Sequence, residues 1–459
     1  MELSPELRQS HRELGRLSER FIEHVSRTPG GLQRSTFAAL QRQVYTPLSC
    51  WPVFVGGATL EELKSSSIGV TRMVKQVPFR VFRGDLSAMA AFYQLGSPAA
   101  AAVILEEPNG IAGAVARVDL LRTRAGFQAL EVNLGGIGGI QVSTAAEIYD
   151  EIPVVRTFLD EQPVRVQCTR SVEIVLDHIV TEVRENLSLP APELNIAIIT
   201  HDDFPVERHA GLLERFSRTL VTVLQQHGLT WEGKIVMGPA ALLQDRGDGL
   251  WMKGLRLAAV LEWVAWPRQL AFRYWKSRQL NLYNGPAAMV LADKRNLGFL
   301  SELESSPMLA EDEREIVRRW IPWTRHIKPG YTHRHGERFQ LPEYLGKHRE
   351  DLVIKPARMG QGQDIHFGAV TPPDTWEKLV REALARRDWV VQERLESLPY
   401  LHQQGEEGIG PHDIVWGVFV FGSRYGGGFL RLMPQGPPQA INTALGAREA
   451  LIFEEMEEP

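Results

Sequence analysis

Two short β-like runs, 118–122 and 127–133, are separated only by Thr123-Arg124-Ala125-Gly126, and extended segments this close have little choice but to fold back as a hairpin. In the second run Glu131 and Asn133 stand two apart, so a strand turns both oxygen-bearing side chains to one face and Leu130 and Val132 to the other. A three-residue loop, Arg124-Ala125-Gly126, with glycine in the left-handed position such loops need, pairs Thr123 with Phe127 and sets Asp119 opposite Glu131. A two- or four-residue loop puts Asp119 on the wrong face. Two carboxylates and an amide oxygen on one face suit a hard cation such as Mg²⁺, which takes its remaining ligands from water and phosphates. The competing reading is a surface hairpin with solvated acids.

At 459 residues, 44% hydrophobic and 23% charged, the chain is too long for one core and predicts two or three packed units. A net charge of -5 supplies no overall field for nucleic acid or an anionic membrane, so an anionic ligand has to be met locally. Cys50 and Cys168 alone make neither a disulfide framework nor a Cys-rich zinc site. The N-terminal stretch lacks the basic and apolar regions of a signal peptide, and no segment is long enough to span a bilayer; the expectation is a cytoplasmic chain. Oligomeric state is not legible.

Four segments follow from the pattern. Residues 1–95 read as helices and loops without an interpretable motif, and 96–165 contain the hairpin and the cluster Gly135-Gly136-Ile137-Gly138-Gly139, whose spacing is not G-x-G-x-x-G and which reads as a flexible approach to substrate. In 166–283 an apolar run at 194–200, a helix to about His227 and a strand at 234–237 make a β-α-β unit, a small Rossmann-like domain. Residues 284–459 give helices, a basic loop at 325–349, strands at 352–355 and 389–393, and a β-rich tail at 414–433. The fold class is α/β (α+β).

Lys355 ends the apolar run Leu352-Val353-Ile354, where a buried ammonium needs a partner. Gly360 and Gly362 follow in a loop whose backbone N–H groups can approach a phosphate, although no Gly-Lys-Ser or Gly-Lys-Thr exists in the chain. Trp389-Val390-Val391 then ends in Gln392 and Glu393; in a nucleotide site such a strand offers its backbone to an adenine edge and a carboxylate to the ribose, and otherwise it simply runs out to solvent. His333 and His335 have no third ligand at a metal spacing and read as solvated.

The order of these pieces resembles the circularly permuted ATP-grasp enzymes, relatives of glutathionylspermidine synthetase, in which an R-x-D and an E-x-N motif precede the lysine-bearing segments. Arg117-Val118-Asp119 and Glu131-Val132-Asn133 are similar to that metal hairpin, and Asn284-Gly285-Pro286 through Asp293-Lys294-Arg295 to the segment with the first nucleotide lysine. Ile321-Pro322-Trp323-Thr324-Arg325, the segment 351–362, Val391-Gln392-Glu393, and Arg424-Tyr425-Gly426-Gly427-Gly428 through Arg431 and Asn442 resemble the later motifs. Gln361 and Gln363 depart from the pattern, standing where the family usually has glycine.

The resemblance implies a permuted ATP-grasp fold with a Rossmann-like domain before the ATP-binding part. It implies ATP and Mg²⁺ as cofactors, with metal ligands Asp119, Glu131 and Asn133, and ATP contacts from Lys294, Lys355, Gly360, Gly362, Gln392 and Glu393. Arg117 and Arg431 are then the guanidinium groups that stabilise the oxyanion and departing phosphate. The implied activity is carboxylate-amine ligation through an acyl phosphate, on small-molecule or peptide substrates. A phosphotransferase and a non-catalytic nucleotide-binding protein are the alternatives on the same residues.

Overall fold

Strict alternation along one strand lays out the main sheet: in 115–121, Ala116, Val118 and Leu120 are buried in a hydrophobic core, while Arg117, Asp119 and Leu121 turn to the opposite face. The computed structural model describes residues 4–27, 46–105, 111–134, 138–189, 191–262, 269–358, 362–404 and 408–456. In chain order, the strands that shape the site are β1 (Val53–Val55), β2 (Val115–Thr123), β3 (Gly126–Asn133), β4 (Ile196–Thr200), β5 (Ile235–Pro239), β6 (Ala259–Glu262), β7 (Asn281–Tyr283), β8 (Thr324–His326), β9 (Leu352–Pro356), β10 (His366–Phe367), β11 (Trp389–Glu393), β12 (Tyr400–Gln404), β13 (Gly408–Phe421), β14 (Arg424–Pro434) and β15 (Arg448–Glu455). The helices used below are α1 (Pro5–Leu14), α2 (Gly57–Phe82) and α3 (Arg295–Glu302).

The architecture is mixed α/β with several sheets. The largest runs β1-β15-β14-β13-β2-β3, with β12 added to β13 and Val166–Gln167 to β15; β1 is parallel to β15 and the other pairings are antiparallel. Its inner face presents Val118, Trp416, Leu430 and Ile452 to the 26-residue helix α2, which contributes Leu63, Val70, Met73, Val74 and Val77. Each such side chain contributes about 1.5–3 kcal/mol on full burial, so the inner face is fixed and the outer face left free for polar groups.

The β-α-β expectation is met by a larger unit: β7-β6-β4-β5 form a four-stranded, wholly parallel sheet, with the helix Ala210–Gln226 between β4 and β5. A small antiparallel sheet, β8-β11-β9-β10, is cored on one side by Trp323, Leu345, Ile354, Trp376 and Val391. The segment 325–349 is not the basic loop its charges suggest. It folds as a hairpin, Tyr331–Arg334 with Glu337–Gln340, and a helix, Leu341–Lys347, with Arg325 and Arg334 turned inward to Ser301, Thr332, Glu393 and Tyr344.

Both cysteines are free thiols. No single helix among the described residues is long and apolar enough to cross a membrane; one bent pair, Leu86–Tyr93 and Pro98–Leu105, passes on length and composition together, and its Met89, Tyr93 and Ile104 lie in the main core.

One buried ion pair anchors the start of α3. Arg295 donates to Asp293 through Nε (2.9 Å) and Nη2 (2.6 Å), and its guanidinium lies 4.2 Å from the ring centre of Phe92. Removing one partner of a buried pair strands the other charge, which typically costs about 3–5 kcal/mol. Asp293→Asn is therefore expected to lower unfolding free energy by about 3 kcal/mol in urea titration; an unchanged midpoint would show that the pair contributes little.

Candidate functional site

The β2–β3 hairpin carries Asp119 opposite Glu131, as expected, but by a different route. Thr123 pairs with Gly126 across a two-residue turn, and one extra residue, Leu130, is then inserted between Ala129 (opposite Leu120) and Glu131 (opposite Asp119). That β-bulge restores the face the shorter turn would have lost. It also brings Leu130 onto the same cleft as Glu131, instead of the opposite face assigned by simple alternation. Asn284 pins the open end of the hairpin: its Oδ1 accepts from Val115 N (2.6 Å), and its Nδ2 donates to the carbonyls of Val115 (2.6 Å) and Leu134.

Asp119 is the centre of a buried charge cluster. Arg117 holds it with two donors, Nε to Oδ1 at 2.7 Å and Nη2 to Oδ2 at 3.0 Å, while Nη1 donates to Gly138 O at 2.9 Å. Arg431 brings Nη2 within 2.7 Å of Asp119 Oδ2, close enough for an ion pair but without hydrogen-bond alignment, and its Nε finds no acceptor among the described residues. Burial pushes the Asp119 carboxyl up, but Arg117 and Arg431 outweigh it and hold the group well below the usual carboxylate range. Gly417, opposite Asp119 on β13, makes room for this: a Cβ there would stand 2.9 Å from Phe429 and 3.2 Å from Arg117 Cδ.

Asn133 Nδ2 lies 3.2 Å from both Asp119 Oδ2 and Glu131 Oε1, leaving its own carbonyl oxygen for another ligand. Lys294 Nζ is 3.2 Å from Glu131 Oε2. Lys355 Nζ donates to Gln392 Oε1 (2.6 Å) and to Leu130 O (3.2 Å), so the bulge supplies an acceptor for a lysine from the other sheet. The two lysine segments are themselves joined, Lys294 N donating to Ala357 O at 2.9 Å. Burial, reinforced by the charge of Lys294 and opposed by Glu131, pulls Lys355 down to about 8.

Gln392 and Glu393 are committed differently from the sequence expectation. The Gln392 amide spends its oxygen on Lys355 and its nitrogen on Thr324 Oγ1 (3.0 Å) and Ala129 O (3.3 Å), which makes it a positioning group between the two sheets. Glu393 accepts from Trp323 N (2.8 Å) and Arg334 Nη2 (2.7 Å). Gly362 borders the cleft at a positive φ of +74°, beside Ala440 and Asn442. Gly360 lies outside the described residues, as do Gly135, Gly136 and Ile137.

Of these groups Asp119, Glu131, Gly362, Gln392 and Glu393 line a cleft of about 910 Å³ between the two sheets, with Leu121, Val415 and Arg431 on one wall and Val353, Lys355 and Phe367 on the other; Arg117, Asn133 and Lys294 are not part of its lining. Ser4 and Leu7, at the start of α1, also line it. Nothing in the sequence of 1–95 signals that role, which depends on α1 being moored through Ser10 Oγ to Pro399 O (3.0 Å) and Glu13 to Arg122 Nη2 (2.7 Å). Glu131 and the remaining lone pair of Asp119 offer oxygens to a Mg²⁺ that arrives with phosphates, whereas Asn133 turns its nitrogen to both carboxylates and would have to flip its amide to add its own oxygen. They do not make a free-standing cation site, since Asp119 is already claimed by two guanidinium groups and no cluster of three His, Cys, Asp or Glu side chains occurs among the described residues.

No protein-family model and no curated protein matches the chain. Among solved structures it is similar to a protein from Methylobacillus flagellatus KT described provisionally as a gamma-glutamylcysteine synthetase, with 12% identity and a TM-score of 0.41 over 84% of this chain and 88% of that one. So loose a superposition fixes neither fold nor activity.

Asp119 contributes stability that is present above its unfolded value, about 4, and lost as pH falls toward its depressed native value. Asp119→Asn is accordingly expected to destabilise the protein by about 3 kcal/mol or more at pH 7, and by less as the pH is lowered. Urea denaturation across that range checks this; an equal loss at every pH would show that the ion pairs are not the cause.

Proposed function

We propose that the protein is an ATP-dependent carboxylate-amine ligase of the permuted ATP-grasp type, which activates a carboxylate as an acyl phosphate and releases ADP and phosphate. The observation that carries this is the meeting of Lys294 and Lys355 with Glu131, Asp119 and Arg431 beside the cleft, although 160 residues of chain separate the hairpin from the first lysine.

The cluster holds four cations (Arg117, Arg431, Lys294 and Lys355) against three carboxylates (Asp119, Glu131 and Glu449, which faces Arg431 on β15), so it is positive before any ligand enters. Such a site takes an anion first. Phosphoryl transfer depends mainly on alignment and charge stabilisation. Lys294 and Lys355 meet the phosphates from the side of the small sheet, where Gly362 borders the cleft. Glu131 and Asp119, with Asn133 if its amide turns over, would hold a Mg²⁺, which would supply neutralisation of the charge developing on the phosphates. Arg431, with Nε and Nη2 making no hydrogen bond, fits the acceptor carboxylate and then the tetrahedral oxyanion; Arg117, with all three nitrogens hydrogen-bonded, holds Asp119 in place. The acyl phosphate is a mixed anhydride that an amine attacks directly, expelling phosphate without an enzyme nucleophile. Water has to be kept out while it exists.

The direct test is ADP release with Mg-ATP and pooled acids and amines, followed together with new amide masses. A ligase requires both substrates; release with an acid or alcohol alone, yielding a phosphorylated product, would mark a kinase instead. Glu131→Gln, which disturbs fewer ion pairs than Asp119→Asn, is expected to lower kcat by about 10²–10³. Near-normal turnover would end the assignment.

Lys355 yields a second expectation. Its charge is lost as pH rises through about 8, so ATP binding should weaken above that pH and take up protons near it. For folding the sign is opposite, because its native value lies below the unfolded one: deprotonation between about 8 and 10.4 adds stability. Calorimetric ATP titrations at pH 7 and 9, in buffers of different ionisation heat, check the proton uptake; a pH-independent affinity would exclude Lys355 from phosphate binding.

A further inference from the structure

Polar contacts, more than apolar ones, hold α1 to the rest of the molecule. Of its hydrophobic side chains Leu14 is buried, Leu7 half-buried and Pro5 exposed, whereas α2 puts Leu63, Val70, Met73, Val74 and Val77 into the core. What holds α1 instead is a set of hydrogen bonds around Ser10 and His11. Ser10 Oγ donates to Pro399 O (3.0 Å), Arg122 donates through Nη1 to Ser10 O (3.1 Å) and through Nη2 to Glu13, and the Leu401 N–H donates to His11 Nε2 (3.1 Å). An element held in this way opens locally at small cost compared with a core helix. Its C-terminal end is built as a hinge: Gly15 stands at a φ of +146°, and beyond it the main chain is pinned, Arg16 N donating to Glu455 Oε2 (3.1 Å) and Leu17 N to Oε1 (2.6 Å).

His11 decides whether this docking holds. A backbone N–H is a donor only, so the bond from Leu401 requires a bare lone pair on Nε2 and leaves the imidazole proton on Nδ1, from which it is donated to Ser18 Oγ (2.9 Å). The buried ring therefore docks in its neutral form, and a second proton would set two N–H groups against each other. Among the described residues the groups around it are Ser18 from the following helix (Arg16–Arg27), Arg122 from β2, and the Tyr400 ring of β12 at 4.5 Å, with His402 and His412 beyond. The nearby carboxylates are committed elsewhere, Glu13 to Arg122 and Glu19 to Arg12. Burial first, then the charge of Arg122, pulls His11 down to about 3. A released histidine titrates near 6.5, so docking is fully present above that pH and its equilibrium constant falls by roughly 10-fold for each unit below it.

Ser4 and Leu7 line the cleft together with the segment 395–399, so α1 forms part of its rim. We propose that α1 is a strap over this rim, hinged at Gly15 and latched through His11: closed while the imidazole is neutral, and released from the cleft when it takes up a proton. The strap goes beyond the activity proposed above and requires only the cleft and the latch, whatever ligand the cleft holds.

The test is hydrogen exchange read by mass spectrometry on the full-length protein at about pH 7.5 and 5.5, corrected for the intrinsic effect of pH on amide exchange. In the wild type, peptides covering 5–14 are expected to be less protected than those of α2 at the higher pH, and to lose roughly a further 10-fold at the lower one while α2 does not. His11→Gln places an amide oxygen that accepts from the Leu401 N–H without titrating; it is expected to keep most of the protection and to lose the pH effect. Because His402 and His412 are also buried and held below their ordinary value, this variant separates His11 from them. Ser10→Ala removes one latch bond but no titrating group, and is expected to lower protection of α1 by a similar factor, roughly 2 to 10, at both pH values. Protection of α1 equal to that of α2, no change with pH in the wild type, or a fall shared equally by α2 would overturn the strap. A pH effect undiminished in His11→Gln would remove His11 as the latch. Should that variant not fold, wild type and Ser10→Ala still decide.

Discussion

A carboxylate buried as deeply as Asp119 is tolerable only because two guanidinium groups reach it, and most of the site is arranged around meeting that requirement. Removing such a charge from water costs several kcal/mol unless it is paired and hydrogen-bonded. Arg117 satisfies it from two residues away on the same strand, and Arg431 from two strands across the sheet. Room for the Arg117 side chain comes from Gly417, the neighbour of Asp119 on β13. The consequence is an asymmetric pair of arginines: one with all three nitrogens hydrogen-bonded, the other buried with Nε and Nη2 making no hydrogen bond among the described residues.

The second dependency is the bulge at Leu130. β3 is the edge strand of the sheet, so some of its main-chain oxygens face outward in any case; at the bulge Leu130 O meets Lys355 and the neighbouring Ala129 O receives Gln392. The small sheet thus docks on the large one through buried polar contacts beside the cleft. Lysine and glutamine side chains reorient at small cost compared with repacking a core, so this junction can accommodate a ligand where the apolar inner face cannot.

Much of the site was legible because its chemistry is local. Asp119, Glu131 and Asn133 announce themselves by alternation within an apolar run, and Lys355 by ending a strand whose neighbours are all buried. Their mutual placement followed even though the turn was misread, since the bulge compensated the register error. What stayed hidden is what alternation does not encode: the commitment of Gln392 and Glu393 to Lys355, Trp323 and Arg334, the inward turn of Arg325 and Arg334, and the lining of the cleft by α1.

The physical division is between period and proximity. Short-range hydrophobic periodicity decides which side chains a strand buries and which it offers, and that much the sequence by itself determined: a hairpin with oxygen-bearing side chains on one face, a lysine at the end of a buried strand, a parallel unit around 196–200. Only the tertiary structure decided which offered groups meet. Distances of 2.6–3.2 Å between Lys355, Gln392 and Leu130 depend on how two sheets dock, an outcome summed over several cores that no local pattern carries.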